Sequence, residues 1–183
     1  MDFLECMMGR RSCRRFKQDP VPREDLERMI DVARYVPTGY NKHGLRFAIV
    51  SSPEKVAEMF EFTGWLTGKP AEGQRPTAYI VTMLDTEVGG GIAAAYCATY
   101  AVMLTAHSLG YGSCWHGCHG SDKVRTFLGV PENIELAVTV SLGKSDETVV
   151  VHDPSDDWEV KKLDDGTVHL GKPSRETVTI AVL

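Results

Sequence analysis

Apolar residues fall at helical spacing early in the chain and in near-continuous blocks later, and this contrast predicts the element order. Between residues 23 and 35, Leu26, Met29, Ile30 and Ala33 share one helical face, and Pro22 stands where a first-turn proline opens a helix. A shorter helix is expected over 2–8. Pro37, Thr38, Gly39, Tyr40 and Asn41 interrupt the pattern as a loop. Residues 45–51 then fit a strand, and Pro53 opens a helix to about 62. The segment 64–76, rich in Gly, Pro and polar residues, reads as a surface loop and a candidate lid carrying Trp65. Residues 77–84 form the clearest buried strand.

The longest helical pattern runs over 91–109, where Ala93, Ala94, Ala95, Ala98 and Ala101 alternate with larger apolar residues. A helix apolar nearly all round sits in a core or a subunit interface. Gly110 stops it. A strand at 111–115, a short helix at 122–128 and a last firm strand at 134–142 follow. From Ser145 the chain turns polar, with Pro154, Asp156, Asp157, Gly166, Gly171 and Pro173, and ends in a β-favouring run over 177–183. A tail of this composition buries little against itself and is expected to wrap a partner subunit. The alternation of helices and strands indicates α+β or mixed α/β. No glycine-rich phosphate loop follows the first strand, which argues against a Rossmann fold.

The length of 183 residues suits a single domain, 1–183, with 145–183 as a C-terminal extension. With 25 acidic against 20 basic residues, the formal charge is −5, so nothing points to nucleic-acid binding. No apolar stretch is long enough for a membrane span. Acids stand near the N-terminus where a secretory signal carries bases. The five cysteines are an odd number in a chain large enough to fold without staples, so the expected compartment is the reducing cytoplasm.

Against that acidic background, Arg10, Arg11, Arg14, Arg15 and Lys17 concentrate five cations within eight residues. Guanidinium forks match phosphate oxygens two at a time, and the Ser12 hydroxyl can donate to the same oxygens. A solvated turn between helices would carry the same charges. Residues 37–43 gather the Thr38 hydroxyl, the Tyr40 ring and the Asn41 amide after a helix end, as an ordinary capped loop also does. In the stretch from Ser108 to Gly117 a helix ends on glycine and a strand leaves backbone amides beside the Trp115 ring. Cys114, His116, Cys118 and His119 invite a metal reading, but haem attachment requires a different cysteine spacing, and neighbours on a strand point to opposite faces. No metal is expected.

Taken in order, the three segments resemble the nitroreductase family, flavoenzymes that bind FMN at a dimer interface. Arg10, Arg11, Ser12, Arg14 and Phe16 match that family's Arg-Arg-Ser-x-Arg-x-Phe signature, and residues 101–115 resemble its long dimer helix and following strand. The resemblance implies a three-layer α+β fold, a mostly antiparallel central sheet flanked by helices, in an intertwined homodimer. It assigns Arg10, Arg11, Ser12 and Arg14 to the FMN phosphate and ribityl chain. Thr38, Tyr40 and Asn41 would be further cofactor contacts, and the backbone of Trp115, His116 and Gly117 would run along the flavin ring. Lys172 and Arg175 are the candidates for a C-terminal basic pair. His43, Gly44 and Leu45 depart from the family's Gln-Pro-Trp, which bears on substrate preference. The implied activity is ping-pong electron transfer from NADH or NADPH to a nitroaromatic, quinone or similar small acceptor. The alternative is an FMN-binding protein of the same fold with another role, such as flavin storage, sensing or dehalogenation. No residue is assigned as general acid or base.

Overall fold

A computed structural model of the chain describes residues 2–65, 68–118 and 121–182. Its elements fall into two units, 1–145 and 146–183. The first contains α1 (Phe3–Gly9), α2 (Arg23–Ala33), β1 (Leu45–Val50), α3 (Pro53–Phe62), β2 (Ala78–Asp85), α4 (Ile92–Ser108), β3 (Gly112–Gly117), α5 (Asp122–Leu128) and β4 (Ile134–Gly143). These lie within a few residues of the ranges expected from the pattern. α1 begins at Phe3 because Asp2 caps it, accepting from the Glu5 amide at 2.9 Å while the Glu5 carboxylate accepts from the Asp2 amide at 3.0 Å.

Four antiparallel strands form the sheet in the order β1-β2-β4-β3. Helices cover both faces, which explains why the middle strands read as unbroken apolar runs. On one face Ile80, Val138, Val140 and Leu142 pack with Leu26 and Met29 of α2 and Ala98 and Val102 of α4. On the other, Tyr79, Val81, Met83 and Leu136 pack with Val56 and Met59 of α3 and Val124 of α5. The register slips once: Thr82 pairs with Val138 and Met83 with Leu136, so Ala137 is an extra residue. Ala137 and Val138 therefore both face the first core, and the inward parity of β4 reverses there.

α4 is less uniformly buried than its composition predicts. Ala94, Ala95, Ala98, Val102 and Met103 are buried, whereas Tyr96 and Cys97 lie on an exposed stripe. Among the described residues no helix is long and apolar enough to cross a membrane.

The second unit has its own small sheet, β5 (Val149–His152), β7 (Val168–Gly171) and β6 (Lys161–Lys162) in that order, followed by α6 (Arg175–Val178). β5 and β7 pair in parallel, β6 and β7 antiparallel. None of its described residues is buried. The β-favouring run over 177–182 forms no strand. Ser174 caps α6 by accepting from the Thr177 amide, and Ile180 and Val182 beyond it are exposed.

Candidate functional site

The cationic segment is an extended strap laid beside the edge strand. Ser12 bridges Ser113 in parallel fashion, the Cys13 amide donates to the Ser113 carbonyl at 2.8 Å, and Phe16 bridges Ser145. The strap comes so close because Gly112 and Gly143, paired across β3 and β4, carry no side chains. A Cβ on Gly112 would lie 2.7 Å from the Cys13 Cβ, and one on Gly143 3.0 Å from the Phe16 ring. Phe16, fully buried, fastens the far end of the strap.

Arg10 is the C-cap residue of α1, and its guanidinium stands 5.6 Å from the Tyr100 ring centroid. Its Nε and Nη1 are buried without a hydrogen-bond partner. Arg11 donates to the Arg10 carbonyl at 2.6 Å. His107 on α4 has its proton affinity lowered by burial and then by the nearby charges of Arg10 and Arg11. Two guanidiniums and unspent buried donors make this a place for an anion.

Arg14 lines a pocket of about 320 Å³ with Gly64, Trp65, Cys114, Trp115, His116 and Gly117. β3 supplies its floor. The Trp115 ring is exposed and lies 5.8 Å from that of Tyr96 on the open stripe of α4. His116 points the other way, 7% exposed, with Nδ1 3.0 Å from the Gly64 carbonyl and Nε2 2.9 Å from Ser141 Oγ. Burial, aided by the Arg14 charge, pushes its pKa down to about 4, so the ring is neutral near pH 7. Both ring nitrogens are engaged, which leaves no proton for a substrate.

Thr38, Tyr40 and Asn41 are not among the residues lining that pocket. Their turn rests on the loop before α4, where the Gly39 amide donates to the Gly90 carbonyl at 2.9 Å. Tyr40 and Asn41 have φ of 53° and 56°, the left-handed region that side chains rarely adopt, and Tyr40 is 99% exposed. Strain of this kind gathers at binding sites. The Thr38 Oγ1 is buried without a partner.

Lys172 and Arg175 belong to the second unit. The Lys172 amide donates to the His152 carbonyl, and Arg175 makes an exposed pair with Glu176 at 3.4 Å. Cys114 and Cys118 are buried, and burial raises the Cys118 thiol pKa. His119 lies outside the described residues, and among those described no three potential metal ligands cluster. Of the candidate lid, Gly64 and Trp65 line the pocket, and residues 66 and 67 lie outside the described residues. Its far end is pinned to the strap, the Gln74 carbonyl accepting from the Phe16 amide and the Arg75 carbonyl from Gln18 Nε2.

The pairing of Gly112 with Gly143, the Tyr100 ring and the strained turn carried no separable signal in the sequence. Gly112 reads there only as a strand residue, and the turn carrying Tyr40 meets Gly90 about 50 residues away.

The model of the nitroreductase family matches residues 7–80 and 87–144. A protein of Archaeoglobus fulgidus, provisionally named NADH dehydrogenase/NAD(P)H nitroreductase, is 29% identical over 154 residues, spanning 78% of this chain and 84% of that one. Among solved structures, an FMN-dependent nitroreductase from Clostridium difficile R20291 is 26% identical with a TM-score of 0.68, covering 79% of this chain and 88% of its own. A nitroreductase family protein from Clostridium novyi NT is 25% identical with a TM-score of 0.71, covering 79% and 87%.

Proposed function

Because this chain belongs to the nitroreductase family, we propose that it is an NAD(P)H-dependent oxidoreductase that holds FMN and passes electrons to a small acceptor. The observation that carries this reading is the strap: Arg10, with two buried nitrogens unspent, leads along β3 directly to Arg14 at the pocket. Arg10, Arg11, Ser12 and Arg14 would hold the FMN phosphate and ribityl chain through charge-assisted hydrogen bonds. Trp115, His116 and Gly117 would line the flavin ring, while Thr38, Tyr40, Asn41, Lys172 and Arg175, none of which lines this pocket, would contact FMN across the homodimer. FMN, when bound, supplies the hydride-transfer chemistry. The protein orients the ring, screens it from water and neutralises its phosphate. NADH or NADPH and then a nitroaromatic or quinone would use one pocket in turn, which is ping-pong behaviour.

The same reading includes a homodimer. Phe3, Leu4 and Met8 of α1 and Tyr96 of α4 are exposed apolar side chains, and such faces in stable dimers bury over about 2,000 Å². The second unit, with none of its described residues buried, would wrap the partner. On this reading the protein would work in the cytoplasm.

The test is the visible absorption spectrum of purified protein incubated with FMN, followed by addition of NADH or NADPH. Flavin bands that bleach with the nicotinamide and return with an acceptor support the reading. A colourless protein that takes up no FMN overturns it.

A further inference from the structure

His116 joins two parts of the pocket that are far apart in the chain. A carbonyl oxygen only accepts, so the 3.0 Å contact with Gly64 requires the proton on Nδ1. The neutral ring then accepts at Nε2, and the Ser141 hydroxyl donates to it at 2.9 Å. One tautomer alone satisfies both contacts. The same ring meets Trp65 edge to face, centroids 4.5 Å apart at 65°. Trp65 also packs on Phe60, centroids 5.6 Å apart, and Phe60 is buried. The indole is thus held by two rings, and its Nε1 is buried with no hydrogen-bond partner. Trp65 and Trp115 line one pocket of about 320 Å³, the one whose floor β3 supplies.

Resting on the reductase reading above, we propose that His116 is a positioning residue that fixes Trp65 as a wall of the pocket for a flat aromatic acceptor, and so sets acceptor selectivity. The tether runs through Gly64 and the ring contact through Trp65. His116→Phe keeps the ring and removes the tether, whereas His116→Asn keeps a donor where Nδ1 stood. Ser141→Ala frees Nε2 and serves as an independent variant if His116→Phe does not fold.

The experiment compares the FMN-loaded proteins for kcat/KM with para-benzoquinone relative to ferricyanide, a non-aromatic acceptor. Acrylamide quenching of Trp65, in a background with Trp115→Phe and Trp158→Phe, gives a readout independent of flavin. The expected result is a ratio lowered about tenfold in His116→Phe, the effect of one lost hydrogen bond. Trp65 should quench more strongly in that variant, His116→Asn should lie nearer the wild type, and Ser141→Ala should shift the same way more weakly. An unchanged ratio and unchanged quenching in His116→Phe, or in Ser141→Ala should the former not fold, overturn the proposal. Equal losses in the Asn and Phe variants also overturn it. If the wild type takes up no FMN, the selectivity role fails with the reductase reading, while quenching still decides the tether.

Discussion

Replacing Gly44 by alanine tests whether the turn carrying Tyr40 and Asn41 is held by backbone packing. Gly44 precedes β1, and its carbonyl accepts from the Asp85 amide at 2.7 Å. A Cβ there would stand 2.1 Å from the Gly89 carbonyl oxygen and 2.9 Å from that of Asp85. Carbon and oxygen rest at about 3.3 Å or more, so the Gly89 loop must retreat by about 1 Å. Neither obstacle is a side chain that can rotate away. Overpacking in cores costs about 1–3 kcal/mol, and a clash with fixed backbone falls at the upper end. We expect Gly44→Ala to lose about 3 kcal/mol, lowering the urea midpoint by about 1 M or more. Gly73→Ala is the control: nothing lies within 4 Å of its Cβ, and its loss should stay within about 0.5 kcal/mol. Equilibrium urea unfolding of the two variants beside the wild type decides the matter. A Gly44→Ala midpoint matching that of Gly73→Ala would refute the packing argument.

Three further outcomes are expected. Arg14→Ala should bind FMN about 10- to 100-fold more weakly in a flavin-fluorescence titration, while its urea midpoint stays near the wild-type value; full flavin retention would remove Arg14 from the site. His116 makes stability depend on pH: its folded pKa of about 4 lies below the ordinary 6.5, so the unfolded chain takes up the proton first as pH falls. Stability should therefore be complete above about pH 6.5, decline down to about pH 4 and level off below, by at most about 3 kcal/mol; the difference from His116→Asn, which lacks the imidazole, isolates this effect. Tyr111 donates to the Asp25 carboxylate at 2.6 Å, and burial helps push its pKa up to about 12. Tyr111→Phe should lose about 1–3 kcal/mol by urea unfolding, and a neutral result would mean that the bond is not formed in solution.

What could be read from the sequence was what depends on neighbours in the chain. Leu26, Met29 and Ala33 mark the inner face of α2 by spacing alone, and residues 77–84 announce a strand covered on both faces. The cationic strap was visible because its charges oppose the chain's net charge. Features set by distant partners were not visible. Ala137 is a bulge only because Thr82 and Met83 pair on either side of it, and the turn of Tyr40 meets its partner Gly90 far along the chain. The open stripe of α4 looks as apolar as its buried face, so composition could not separate them. In the tail, β5 and β7 have four residues each and β6 two, too few for their pairing to leave a periodic trace.

The strap imposes an order on synthesis. Its anchors are the Ser113 carbonyl, the Lys144 carbonyl that accepts from the Lys17 amide, and the bridge from Phe16 to Ser145. Residues translated first thus find these anchors 100 or more positions later, and closing so wide a loop precedes the reward from those contacts. A nascent chain that ends before β4 holds Arg10 and Arg14 on no floor, whatever helices it has formed. Ligand binding stabilises only the state that binds it. An anionic cofactor present during translation therefore acts on the chain only once Ser145 has cleared the ribosome, and its arrival reports that β3 and β4 have paired.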